Sequence, residues 1–166
     1  MQFKKVTASI AIVTVFGTSI NAFANSATFE ASANIVEALV LAKNTDLAFA
    51  NIVPSAIDPG TVVVSPAGAR NCAAALSCSG IVSAADFSIS GAPGATFTVT
   101  LPAAADISTS GGATMEVNNF TNSLVGNTGT LTGGNGTFQL GGTLNVGAAQ
   151  AVGTYTGTFT VNVEYN

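Results

Sequence analysis

The sequence has no histidine and no tryptophan, and among 166 residues it holds only two cysteines, two tyrosines and four cations. Each shortage removes a class of chemistry. Without histidine, no Ser-His-Asp or Cys-His constellation can be assembled, and the commonest nitrogen ligand for metals is missing. Two cysteines cannot complete a tetrahedral zinc site. The glycine-rich stretches lack the Lys-Ser/Thr that closes a phosphate-binding loop. Eight acids are present, enough in principle for a glycosidase pair. Asp46 and Asp58 flank turns or short strands, Glu164 alternates with threonines, and no tryptophan offers a sugar platform. The acids form no calcium-loop spacing. No enzyme activity, cofactor or metal site is expected.

Charge is scarce as well. Asp, Glu, Lys and Arg make up 7% of the chain, against about a quarter in ordinary soluble domains. Two of the four cations, Lys4 and Lys5, lie in a segment that reads as a leader. Val6–Ile20 is apolar or small, and Ala22-Phe23-Ala24 has the small-x-small form of a signal-peptidase site. Residues 1–24 are therefore predicted to be a cleaved signal peptide, since the apolar run is short for a membrane span. Residues 25–166 are predicted to be one domain. Lys43 and Arg70 are then the remaining cations against eight acids, a net charge of −6. Such a surface repels nucleic-acid backbones and anionic lipid. A transmembrane β-barrel is disfavoured because most predicted strands span 4–7 residues, where about 9–11 are needed. A low-charge surface of Thr, Ser, Asn and Gly suits packing against copies of itself.

In an oxidising compartment, Cys72 and Cys78 are expected to form a disulfide. Closing so short a loop stabilises by about 2 kcal/mol in the chain-entropy model and would pin a hairpin or turn around Ala73–Ser77.

Period-two alternation dominates the rest. Tyr155, Gly157, Phe159, Val161, Val163 and Tyr165 fall on one face of the last segment, with Thr154, Thr156, Thr158, Thr160, Asn162 and Glu164 opposite. The pattern predicts one long half-buried strand, close to 40 Å at about 3.3 Å per residue. Phe97, Val99 and Leu101 repeat it, as do Phe87 with Ile89, Met115 with Val117, Phe138 with Leu140, Leu144 with Val146, and Leu47 with Phe49. Thr61–Val64 reads as a buried strand. Phe29, Ala31, Ala33 and Ile35 alternate ahead of Val36, Leu39 and Leu41, so Ala31–Lys43 is read as a strand. Pro59-Gly60, Pro66-Ala67-Gly68, Pro93-Gly94, Gly111-Gly112 and Gly133–Gly136 supply the turns. Short strands with such breaks predict a β-sandwich or barrel, not a parallel sheet with helices.

Two resemblances follow from particular residues. The alternating C-terminal strand, with Tyr165 penultimate and Gly153 fourteenth from the end, resembles the subunits of bacterial chaperone–usher pili. The wider chain resembles the secreted domain-of-unknown-function family 4402, through Leu47–Val53, Pro59–Arg70, Phe87–Leu101, Met115–Thr121 and Gly141–Tyr165. The pilin likeness implies an immunoglobulin-like sandwich lacking one strand, completed by a periplasmic chaperone and later by a neighbouring subunit. Gly153, Tyr155, Phe159, Val161, Val163 and Tyr165 would then belong to the interface or core strand, and Asn25–Ile35 to the donated segment. It implies export through the periplasm to a fimbrium or the cell surface, with self-association. Typical pilins bridge the first strand to a neighbour, whereas Cys72 and Cys78 are local to one loop. The alternative is a self-contained surface or matrix protein, such as an adhesin. The threonine row Thr154–Thr160 leaves a ligand-binding or ice-binding face open.

Overall fold

The structure is a computed structural model describing residues 26–166, so the predicted signal peptide lies outside the described residues. Residues 26–34 hold no helix or strand, and their side chains are exposed. Ile35–Asn166 form a separate compact unit. That unit is all-β, with no helix among the described residues, as the alternation predicts.

Twelve strands make it up. They are β1 (Val40–Thr45), β2 (Asn51–Val53), β3 (Gly60–Val64), β4 (Arg70–Cys72), β5 (Ser77–Ser79) and β6 (Ala85–Ser90), followed by β7 (Thr96–Thr100), β8 (Ala104–Ser108), β9 (Thr114–Asn122), β10 (Thr128–Thr130), β11 (Asn135–Val146) and β12 (Asn162–Tyr165). Every strand pairing is antiparallel. β11 organises the larger sheet. Asn135–Leu140 pairs with β6 and Gly142–Val146 with β3, while β9 takes the other edge over Leu140–Leu144. β1, β4 and β8 extend this sheet from β6, β3 and β9 respectively. A smaller sheet runs β10-β7-β12, and β2 pairs with β5.

The core lies between the layers, in two clusters. One joins Phe97 and Val99 of β7 to Ile89, Leu131 and Phe138. The other joins Val62, Leu76, Ile107, Val117, Leu144 and Val146. Phe87 stacks on Phe138 with ring centroids 4.9 Å apart. Burying each large aliphatic or aromatic side chain contributes about 1.5–3 kcal/mol, so the inward half of the alternation drives the fold. On β7 the pattern is literal: Phe97 and Val99 are buried while Thr96 and Thr100 are exposed.

Several expectations change. Phe138–Leu140 and Leu144–Val146 are one strand, β11, running through Gly141-Gly142. Those glycines permit close approach here. A Cβ on Gly141 would overlap the Val64 carbonyl and lie 2.7 Å from the Ser65 carbonyl carbon, and one on Gly142 would lie 3.1 Å from the Phe120 ring. Ala31–Lys43 is not a strand: the ladder begins at Val40 and runs to Thr45, because that stretch finds β6 as its partner. Leu47–Phe49 makes one bridge, Ala48 with Ser83. Cys72 and Cys78 are bonded, with a turn at Ala73–Leu76. The hairpin reading fails because β4 pairs with β3 and β5 with β2.

The largest correction is the C-terminal strand. Alternation persists along it, with Tyr155, Phe159, Val161, Val163 and Tyr165 half-buried and Thr154, Thr156, Thr158 and Thr160 exposed. Only Asn162–Tyr165 forms a ladder, on β7. Upstream the segment's backbone pairs with the larger sheet once, at Thr156 with Ser108 of β8. Extending the register of Val163 opposite Val99 would bring Thr156 opposite Asp106, so the pairing slips by two residues. The slip follows from the partner. Its chain leaves the smaller sheet after Thr100 and enters the larger one at Ala104, and Pro102 between them has no N–H to donate.

Candidate functional site

The slip leaves a gap in the wall of the sandwich. Gly157–Val161 have no backbone–backbone partner among the described residues. Beside them lies a cleft of about 750 Å³. Two segments line it, Asp46–Pro54, paired through β2 and Ala48 alone, and Gln150–Val161, paired through Thr156 alone, and it reaches Phe87, Ile107, Met115, Leu140 and Leu144 of the larger sheet. Its size falls in the range of built binding sites, about 300–1,000 Å³. Lys43 and Asp46 are the charged residues of the lining, and they pair with each other.

Each sequence-predicted residue has a distinct place. Phe159 packs edge-on against Phe120, with centroids 5.2 Å apart, and with Tyr155 it borders the cluster around Val117 and Leu144. The Tyr155 hydroxyl donates to the Ala151 carbonyl at 2.7 Å and accepts from Gln150 Nε2 at 2.8 Å, which fixes the turn that delivers the segment. Val161, Val163 and Tyr165 border the other cluster. The Tyr165 hydroxyl accepts from the Ala92 N–H at 2.7 Å and donates to the Glu37 carbonyl at 2.9 Å. Gly153 is exposed and lies outside both clusters. Gly153, Tyr155, Gly157, Phe159 and Val161 therefore meet at the cleft, whereas Val163 and Tyr165 belong to the closed end of the sandwich.

Phe120 is missing from the alternation that finds Met115 and Val117, because it has the opposite parity. A β-bulge corrects this. Asn118 pairs with Thr143 and Thr121 with Gly141, so β9 carries one extra residue, and Asn119 takes φ 48°. The bulge turns Phe120 inward toward Phe159. The sequence signal is Asn118-Asn119 ahead of an apolar residue, since asparagine tolerates positive φ better than most residues. Arg70 was also missed: its guanidinium donates to the carbonyls of Cys78 (3.3 Å), Ser79 (3.1 Å) and Gly80 (3.1 Å).

What such a cleft can do follows from its walls. It can bury apolar side chains, and its unpaired backbone can hydrogen-bond an added strand.

Residues 39–165 match the model of the family described as Domain of unknown function (DUF4402), and the chain belongs to that family. No curated protein and no solved structure matches it.

Proposed function

We propose that this protein is a non-catalytic structural subunit of a fimbria or other extracellular filament, exported through the periplasm and assembled by β-strand complementation. One observation carries the reading: an apolar cleft runs beside a C-terminal segment that keeps the alternation of a strand but lacks a ladder from Gly157 to Val161. An extended segment with apolar side chains at every second position would supply the missing hydrogen bonds and fill the cleft at once. Residues near the N-terminus suit that role in a second copy. Phe29 and Ile35 are 91% and 95% exposed, and Ala31 and Ala33 continue their alternation. A periplasmic chaperone, delivering the subunit to an usher, would occupy the same cleft before assembly.

The test uses protein lacking residues 1–24 and a fluorescent peptide of residues 28–38. Saturable binding is expected, and it should be lost when Phe29 and Ile35 of the peptide are replaced by Asp. A stable monomer that ignores the peptide refutes the proposal.

A further inference from the structure

One wall of the cleft is weakly attached. Asp46–Pro54 is absent from both sandwich sheets. Its sheet contact is β2, which pairs with β5 alone, and its other backbone tie is the bridge of Ala48 with Ser83. Asp46 and Ala48 are held at Ser83, whose hydroxyl also donates to the Asp46 carbonyl at 2.7 Å, whereas β5 is itself outside the larger sheet, so the Asn51–Val53 part of the wall would follow β5.

Two devices hold β5. The Cys72–Cys78 disulfide joins it to β4, which pairs with β3 of the larger sheet, and the two Cα atoms are 6.3 Å apart. Arg70, also on β4, gathers the carbonyls of Cys78, Ser79 and Gly80 on one guanidinium. A planar fork with several donors in fixed geometry can hold three carbonyls at once, which a single ammonium does poorly. The cysteines also border the apolar cluster together with Leu47, Phe49 and Ile52 of the wall.

We infer that Cys72–Cys78 and Arg70 form a staple that sets the position of the Asn51–Val53 part of the wall, making the cleft competent to take a strand, and that the sandwich core does not depend on it. The inference rests on the cleft being a strand acceptor, and it adds which residues shape that acceptor. Leu76 lies inside the disulfide loop, but most of the other buried core side chains belong to strands whose backbone pairing reaches the staple only through β3 and β4. Without the staple, local opening of β2 and β5 replaces a fixed wall. Binding then has to re-order that wall, which lowers affinity.

The experiment compares the protein lacking residues 1–24 with its Cys72→Ala/Cys78→Ala variant, using amide hydrogen exchange and the 28–38 peptide. Expected are loss of protection confined to residues 51–53 and 77–79, retained protection in β6, β7 and β11, and peptide binding weakened about tenfold or more. Unchanged protection in β2, equal affinity, or loss of protection throughout the sandwich would each overturn the staple. Arg70→Gln, with the disulfide intact, is the second variant should the first not fold. It should show the same local pattern to a smaller degree, and wild-type behaviour would overturn the role of the guanidinium. Failure of the unmodified protein to bind the peptide is a separate result: it removes the acceptor reading and this inference with it, whatever the exchange pattern.

Discussion

The Tyr165 hydroxyl offers a sharp energetic test, because its site is shaped by a side chain that is not there. Gly91 is buried, and a Cβ at that position would overlap the Tyr165 hydroxyl and lie 3.1 Å from Leu131 Cδ1 and 3.2 Å from Leu39 Cδ1. The hydroxyl cannot step aside freely, since it bridges Ala92 and Glu37. Tyr165→Phe removes both hydrogen bonds and keeps the ring. At about 0.5–1.5 kcal/mol per bond, the loss is about 1–3 kcal/mol. Gly91→Ala forces the hydroxyl out and forfeits the same bonds, adding the tighter contacts to the two leucines, so its cost equals or exceeds that of Tyr165→Phe. In the Tyr165→Phe background the hydroxyl is already gone, and Gly91→Ala should cost only the residual crowding. The cycle should therefore be sub-additive by about 1–3 kcal/mol, the shared loss of the two bonds, above the few tenths by which independent sites deviate. Urea unfolding followed by far-ultraviolet circular dichroism measures all four proteins. Additive costs would refute the argument that Gly91 exists to seat this hydroxyl.

Two further outcomes follow. Gly141→Ala drives a Cβ into the Val64 carbonyl, a backbone atom that cannot rotate away. It should shift the thermal midpoint down sharply, while Gly94→Ala, where a Cβ meets nothing within 4 Å, should cost only the strain of a positive φ; similar midpoints for the two would refute the close-approach account. Asp106 faces Glu116 directly across β8 and β9, a like-charge pair, and Glu116 already accepts hydrogen bonds from Asn118 and Asn145. Asp106→Asn should raise stability, with the gain shrinking as salt is added, and a loss of stability at low salt would reject the repulsion.

The inward half of each strand was legible in the residues because burial rewards apolar side chains on one face whatever that face meets. Phe97, Val99, Ile89, Phe138 and Leu144 follow from that rule. So does the disulfide, since two close cysteines with no competing partner have one choice. Pairing was less legible, because it depends on the neighbour as well as on the strand's own sequence. Ala31–Ile35 alternates as well as β7 does but holds no strand.

Alternation along Tyr155–Tyr165, with threonines outward, belongs to the sequence itself: it fixes which side chains seek cover. Where those side chains find it was decided by the fold. Phe120 turns inward only because an extra residue in β9 shifts its phase against β11. The C-terminal segment loses its ladder between Thr156 and Asn162 only because its partner changes sheets at Leu101–Ala103. Register and sheet membership are relations between distant segments, and a single stretch of chain carries one side of each relation. The cleft arises from that mismatch, and no local pattern could have announced it.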